Sequence, residues 1–179
     1  MLFVRDFPDE ATLLDIAERF SSMDQRAVRA CLALSLTSRD MRETTEHFLN
    51  GYGLSHGRFL ALMVMYRTPE RAVSPSELAH GVGVARATMT GFLDGLERDG
   101  LVAREDDPDD RRKKQARLTE QGVSLLCEVV PEHCRRMARF ATCLDPRDWV
   151  TLAALLARLQ TGIERFNEPG LGIPPDGEC

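Results

Sequence analysis

Apolar residues recur at helical spacing along most of the chain, and turn-forming residues separate the stretches. From Asp9 to Phe20, the positions Leu13, Leu14, Ile16, Ala17 and Phe20 form a stripe broader than a surface helix needs. Ser22-Met23-Asp24-Gln25 has capping-box spacing, in which a hydroxyl and an amide side chain satisfy the free amides of a helix start. It predicts a long helix reaching about Asn50, with Ala27, Cys31, Leu34, Ser38, Met41, Thr45 and Phe48 along one face. That face mixes small and polar residues, which suits either packing on a partner subunit or lining a cavity. Gly51 is placed to end the helix in left-handed conformation. Ser55 can cap the next helix, whose inner face is Phe59, Leu62, Met63 and Tyr66 and which Pro69 ends.

Ser74-Pro75-Ser76-Glu77 is a second capping box, with Pro75 where a missing amide costs nothing. The short helix it opens should stop near Gly81 or Gly83, where glycine permits a tight turn into another helix. That second helix runs from about Ala85 to Arg98. Met89, Phe92, Leu93 and Leu96 share the side that must be core. The other side carries Ala87, Gly91, Asp94 and Arg98, flanked by Thr88 and Thr90.

Gly100 closes the helix, and Leu101-Val102-Ala103-Arg104 can begin a strand. Asp106-Asp107-Pro108-Asp109-Asp110 is turn chemistry, and Lys113 to Leu118 can be the returning strand. Thr119 then caps a helix carrying Val123, Leu126, Cys127, Val130, Cys134 and Met137, which Pro131 should kink. Asp145-Pro146-Arg147-Asp148 starts the last helix, with Trp149, Leu152, Leu155, Leu156, Leu159 and Ile163 on its apolar face. Residues 167–179, rich in proline and glycine, read as a flexible tail.

Composition narrows the class. Hydrophobic content of 43% and charged content of 28% over 179 residues are globular values, enough for one domain plus an oligomerisation extension. No apolar run is long enough to span a bilayer, and the first residues lack a signal-peptide core, so a soluble cytoplasmic protein is expected. The formal net charge is −5, which by itself argues against nucleic acid. Distribution matters more than the sum, and Arg111, Arg112, Lys113, Lys114 and Arg117 form a segment free of acids. Five cysteines, an odd number with no close pair, argue against a disulfide framework, and buried small hydrophobes are the expected role. The histidines His47, His56, His80 and His133 are scattered and no catalytic motif is present, so neither an enzyme nor a metal or other cofactor is expected.

A short helix, a glycine-bearing turn, a second helix and a hairpin with a charged tip follow in that order. Together with Gly100-Leu101-Val102-x-Arg104, Asp110-Arg111-Arg112 and Leu118-Thr119-x-x-Gly122 at their mutual spacings, this order resembles the MarR family of bacterial transcriptional regulators. The motifs cover roughly Leu54 to Gly122. The resemblance implies a mainly α fold with a small β-hairpin wing: a winged helix-turn-helix plus a helical dimerisation region. Residues 1–53 and 123–166 would be the dimerisation helices and 54–122 the DNA-binding domain. Two departures stand out. Ala85 sits where a capping serine is usual, and Gly91 where the family often has a long basic side chain.

The resemblance also implies roles. Arg86, Thr88 and Thr90, with the Ala87 methyl and the backbone at Gly91, would meet phosphates and base edges in the major groove. Ser74 and Ser76 would donate to phosphate at a helix N-terminus. Arg111 or Arg112, with Lys113 beside them, would enter the minor groove from the wing, and Asp110 would orient the neighbouring arginine. Arg104 would approach DNA or form a strand-surface ion pair with Glu105 or Asp106. The partners would be a pseudo-palindromic operator in double-stranded DNA, a second copy of the chain, and a small hydrophobic or aromatic effector near His56, Met63 and Tyr66. Two other readings stay open: a thiol sensor using Cys31 beside Arg29, or an interaction protein that uses the scaffold without binding DNA.

Overall fold

A computed structural model of the chain describes Thr12, Asp15 and residues 24–106 and 114–166. The expected helix from Asp9 to Phe20, the Ser22 cap, the wing tip and the tail lie outside the described residues, apart from the two named. In chain order the elements are α1 (Gln25–Asn50), α2 (His56–Tyr66), α3 (Pro75–Val82), α4 (Arg86–Arg98), β1 (Val102–Asp106), β2 (Lys114–Leu118), α5 (Glu120–Phe140), a 3-10 turn (Ala141–Cys143) and α6 (Pro146–Phe166). The fold is mainly α with one small antiparallel hairpin.

Local chemistry accounts for the boundaries. The Asp24 carboxylate accepts the Arg26 backbone N–H at 2.9 Å and so caps α1 from within the expected box. Ser55 accepts from the Arg58 amide at 3.3 Å and Ser74 from the Glu77 amide at 3.2 Å. Gly53, not Gly51, is the left-handed residue after α1, at φ 71. The reason is the return bond from the Leu54 amide to the Leu49 carbonyl at 3.1 Å, which requires a positive φ at the residue before Leu54. α3 and α4 end by the same device at Gly83 and Gly100. α5 is continuous through Pro131.

The chain divides into two compact units, residues 37–136 and residues 1–36 with 137–179. Within 37–136, Leu49, Leu54, Phe59, Leu62, Met65, Leu78, Met89, Leu93, Leu96, Val102, Leu126 and Val129 form one buried cluster. Tyr66, expected inside, is 42% exposed, and Met65 takes the inner position. β1 and β2 pair antiparallel with Val102 opposite Leu118 and Asp106 opposite Lys114. Val73 adds a third, one-residue edge: its amide and carbonyl both bond Ala116, at 2.8 and 2.9 Å.

In the other unit, the Trp149 indole donates to the Ala141 carbonyl at 2.9 Å and its ring lies 5.7 Å from Phe140. Along α6, Leu152, Leu155, Leu159 and Ile163 form an exposed apolar stripe in the single chain. The cysteines depart from expectation: Cys31, Cys127, Cys134 and Cys143 are all exposed, while Cys179 lies outside the described residues. In α5 the buried line is Gly122, Leu126 and Val129, which turns Cys127 outward.

Candidate nucleic-acid interface

The candidate interface is built around α3, the Gly83 turn and α4. Ser74 begins α3 with extended backbone, and Pro75 occupies its first turn. Ser76 is exposed on that turn. Glu77 is tied back to Arg71, whose hydrogen bond holds the Glu77 carboxyl below its ordinary range.

α4 begins at Arg86 behind Ala85, which supplies no side-chain cap. Its buried side is Met89, Leu93, Gly95 and Leu96. Arg86, Ala87, Thr88, Thr90 and Gly91 are all exposed, so the five residues expected to meet DNA share the outer surface of one helix. The Thr90 hydroxyl donates to the Arg86 carbonyl at 3.0 Å, which leaves its oxygen as an acceptor toward solvent. Nothing lies within 4 Å of where a Gly91 Cβ would stand.

Arg104 corrects one expectation. It pairs with neither Glu105 nor Asp106. Its guanidinium reaches from β1 to α4, where Nη2 donates to Asp94 and Nε lies 3.3 Å from Glu97. Strand alternation turns Glu105 to the opposite face, where Arg117 meets it at 3.4 Å. Asp106 faces Lys114 in register and pairs with it at 2.6 Å. Arg104 is therefore a brace between the second helix and the hairpin. Asp110, Arg111, Arg112 and Lys113 lie outside the described residues.

Two further ties lie at and just beyond the end of α4. Arg58, at the start of α2, donates to Asp99 and also to the Gly53 carbonyl at 3.3 Å. That bond holds the Asp99 carboxyl below the usual carboxylate range. The guanidinium packs over Gly95, where even a Cβ would stand 3.7 Å from it, an ordinary van der Waals contact. At the other end of the hairpin, the Thr119 hydroxyl donates to the Gly100 carbonyl at 2.7 Å and accepts the Gly122 amide at 3.0 Å. A Cβ on Gly122 would overlap the Leu101 carbonyl oxygen, which explains glycine in the Leu-Thr-x-x-Gly step.

His56 and Met63 are half-buried on α2 and Tyr66 is exposed at its end. A cleft of about 420 Å³ lies elsewhere, between the α1–α2 turn, the α4–β1 joint and the first turns of α5. Among the described residues, no group of three or more His, Cys, Asp and Glu is set to hold a metal, and no helix is long and apolar enough to cross a membrane.

A capped short helix, a left-handed glycine turn, a second helix with a small polar outer face, and a hairpin braced against it define a winged helix-turn-helix protein. Residues 54–114 match the model of the MarR family. The HTH-type transcriptional repressor YetL of Bacillus subtilis is 34% identical over 135 residues, which cover 75% of this chain and 81% of YetL. The transcriptional repressor MprA of Escherichia coli is 24% identical over 154 residues, 86% of each chain. The crystal structure of the S. aureus MepR–DNA complex superposes with a TM-score of 0.68 at 18% identity, over 74% of this chain and 96% of that one. The chain belongs to the MarR family of transcriptional regulators, and it is not an enzyme.

Proposed function

We propose that this regulator is a homodimeric, sequence-specific repressor that binds a pseudo-palindromic operator and is released by a small hydrophobic or aromatic molecule. The observation that carries the DNA reading is the outer surface of α4, where Arg86, Ala87, Thr88, Thr90 and Gly91 are exposed together on a helix braced to the hairpin. On this reading Arg86, Thr88 and Thr90 meet phosphates and base edges. Ser74 and Ser76 hold phosphate at the start of α3. Arg111 and Arg112 enter the minor groove, with Asp110 orienting them and Lys113 adding charge. The dimer is supported by the apolar stripe of α6, which a single chain leaves in water. Repression is supported by relatives named as repressors.

Selection of bound sites from random or genomic DNA tests the reading. The expected result is an inverted repeat with half-site centres about 10 base pairs apart or a multiple of that, with affinity falling steeply as salt rises. Recovery of no enriched sequence would overturn it.

A further inference from the structure

We propose that the cleft between the α1–α2 turn and the start of α5 binds a small organic cation with an aromatic or apolar body, and that this occupant competes with Arg58 for Asp99. The competition rests on the effector reading given above; the binding does not.

At about 420 Å³, the cleft is in the size range of small-molecule sites. Its apolar walls are Tyr52, Leu101 and Leu125. Its charged walls are Asp99 and Glu128, and none of its lining residues is a cation. Gln121, Ser124 and Glu128 stand about one turn apart on α5, so their polar groups face the cleft from one side of the helix. Glu128 pairs with no cation among the described residues. Asp99 is already paired with Arg58 and lies 3.8 Å from Arg98, so the open negative charge is that of Glu128, which repels an anion. A charge-assisted hydrogen bond to a carboxylate is stronger than a neutral one. An ammonium or guanidinium beside Glu128, with its apolar body on Leu101 and Leu125, fits both halves of the lining.

The link to DNA reading is Arg58. Both groups that take its hydrogen bonds, the Asp99 carboxylate and the Gly53 carbonyl, belong to cleft-wall residues. Asp99 is the C-cap of α4, the helix that carries the exposed DNA-facing residues. A cation that takes Asp99 removes a tie between α2 and the end of α4. Its differential affinity for the freed carboxylate supplies the coupling.

The test uses the full-length protein with phenethylamine as probe, against uncharged phenethyl alcohol and anionic phenylacetate, read by amide NMR. The amine should shift the amides of Gly53, Leu101 and Ser124 and bind at least about tenfold more tightly than the other two. Glu128→Gln, at an exposed position, should keep the fold by circular dichroism and weaken the amine about tenfold. Equal binding of the alcohol, an unaffected Glu128→Gln variant, or shifts confined to other surfaces would overturn the site. Anisotropy of labelled operator separates the two claims. Cleft binding with unchanged operator affinity upholds the site and overturns the competition with Arg58. Release by another compound in the absence of amine binding overturns the cleft and leaves effector release standing.

Discussion

At the scale of single residues, small side chains have opposite meanings in different places. Gly57 of α2 is glycine because a Cβ would stand 2.5 Å from the Phe92 ring. Gly91 of α4 meets nothing. An arginine at Gly91 should therefore fold without strain, and exchanging glycine for a better helix former stabilises an exposed helix by about 0.5–1 kcal/mol. In the proposed docking, Gly91→Arg raises general DNA affinity by added charge and shifts the preferred sequence near the half-site centre. Comparing sites selected by the two proteins decides this, and an unchanged motif would reject that placement of α4. Caps were readable at this scale because a hydroxyl and an amide three residues away meet within one turn. Exposure was not: the sequence pattern pointed to Tyr66 and the cysteines as inner residues, and only packing set Met65 inside and turned Cys127 outward.

Between elements, the ion pairs do the positioning. Arg104 ties β1 to α4 through Asp94 and Glu97, and is only 26% exposed. Replacing it with methionine keeps the stem and leaves two carboxylates facing each other. Arg104→Met should destabilise the fold by about 1–3 kcal/mol, measured by urea unfolding, and weaken all DNA sites together by loosening the hairpin from the helix. Unchanged affinity at unchanged stability would show that the brace plays no part in DNA binding.

A second contact between elements responds to acid. His133 of α5 lies 6.0 Å from the Phe48 ring of α1 and 5.6 Å from the Phe59 ring of α2. Burial first, and the charge of His56 second, lower its pKa from an ordinary 6.5. Arg136 sits over Phe48 at 4.6 Å and Glu132 is held by Arg135 and Arg136, so no carboxylate among these is free to offset the proton. With the folded pKa depressed, the unfolded chain takes the proton first. Stability from this group is full above pH 6.5 and falls as pH drops through the window between the unfolded and the lowered folded value. Unfolding series at several pH values should show that slope in the natural protein and a flatter one in His133→Phe.

For the whole molecule, the question is what covers the apolar surface outside residues 37–136. Leu155, Leu159 and Ile163 are 48%, 47% and 63% exposed in the single chain, which is costly in water for side chains of that size. A second copy burying that stripe is the proposed answer. Light scattering at roughly micromolar concentration should give twice the 20.1 kDa chain mass. Leu155→Glu combined with Leu159→Glu should lower that mass and the operator affinity together. A stable monomer of the natural chain would overturn the dimer.

The amino-acid sequence by itself determined the order of elements, the caps at Ser55, Ser74 and Thr119, the glycine turn before α4, the buried side of α4 and the family motifs. These depend on neighbours within one or two turns or on alternation along a strand, and such contacts are written into spacing. The tertiary structure alone decided the rest. Arg58 and Asp99 are 41 residues apart, Arg117 and the Pro69 carbonyl 48. Val73 is added to the hairpin only through Ala116. Arg104 could be read as a surface arginine until β1 lay against α4. The cleft exists only once the α1–α2 turn, the α4–β1 joint and α5 converge. Side chains far apart in sequence acquire partners when the chain closes on its core, and no local pattern records which of many similar charges will meet.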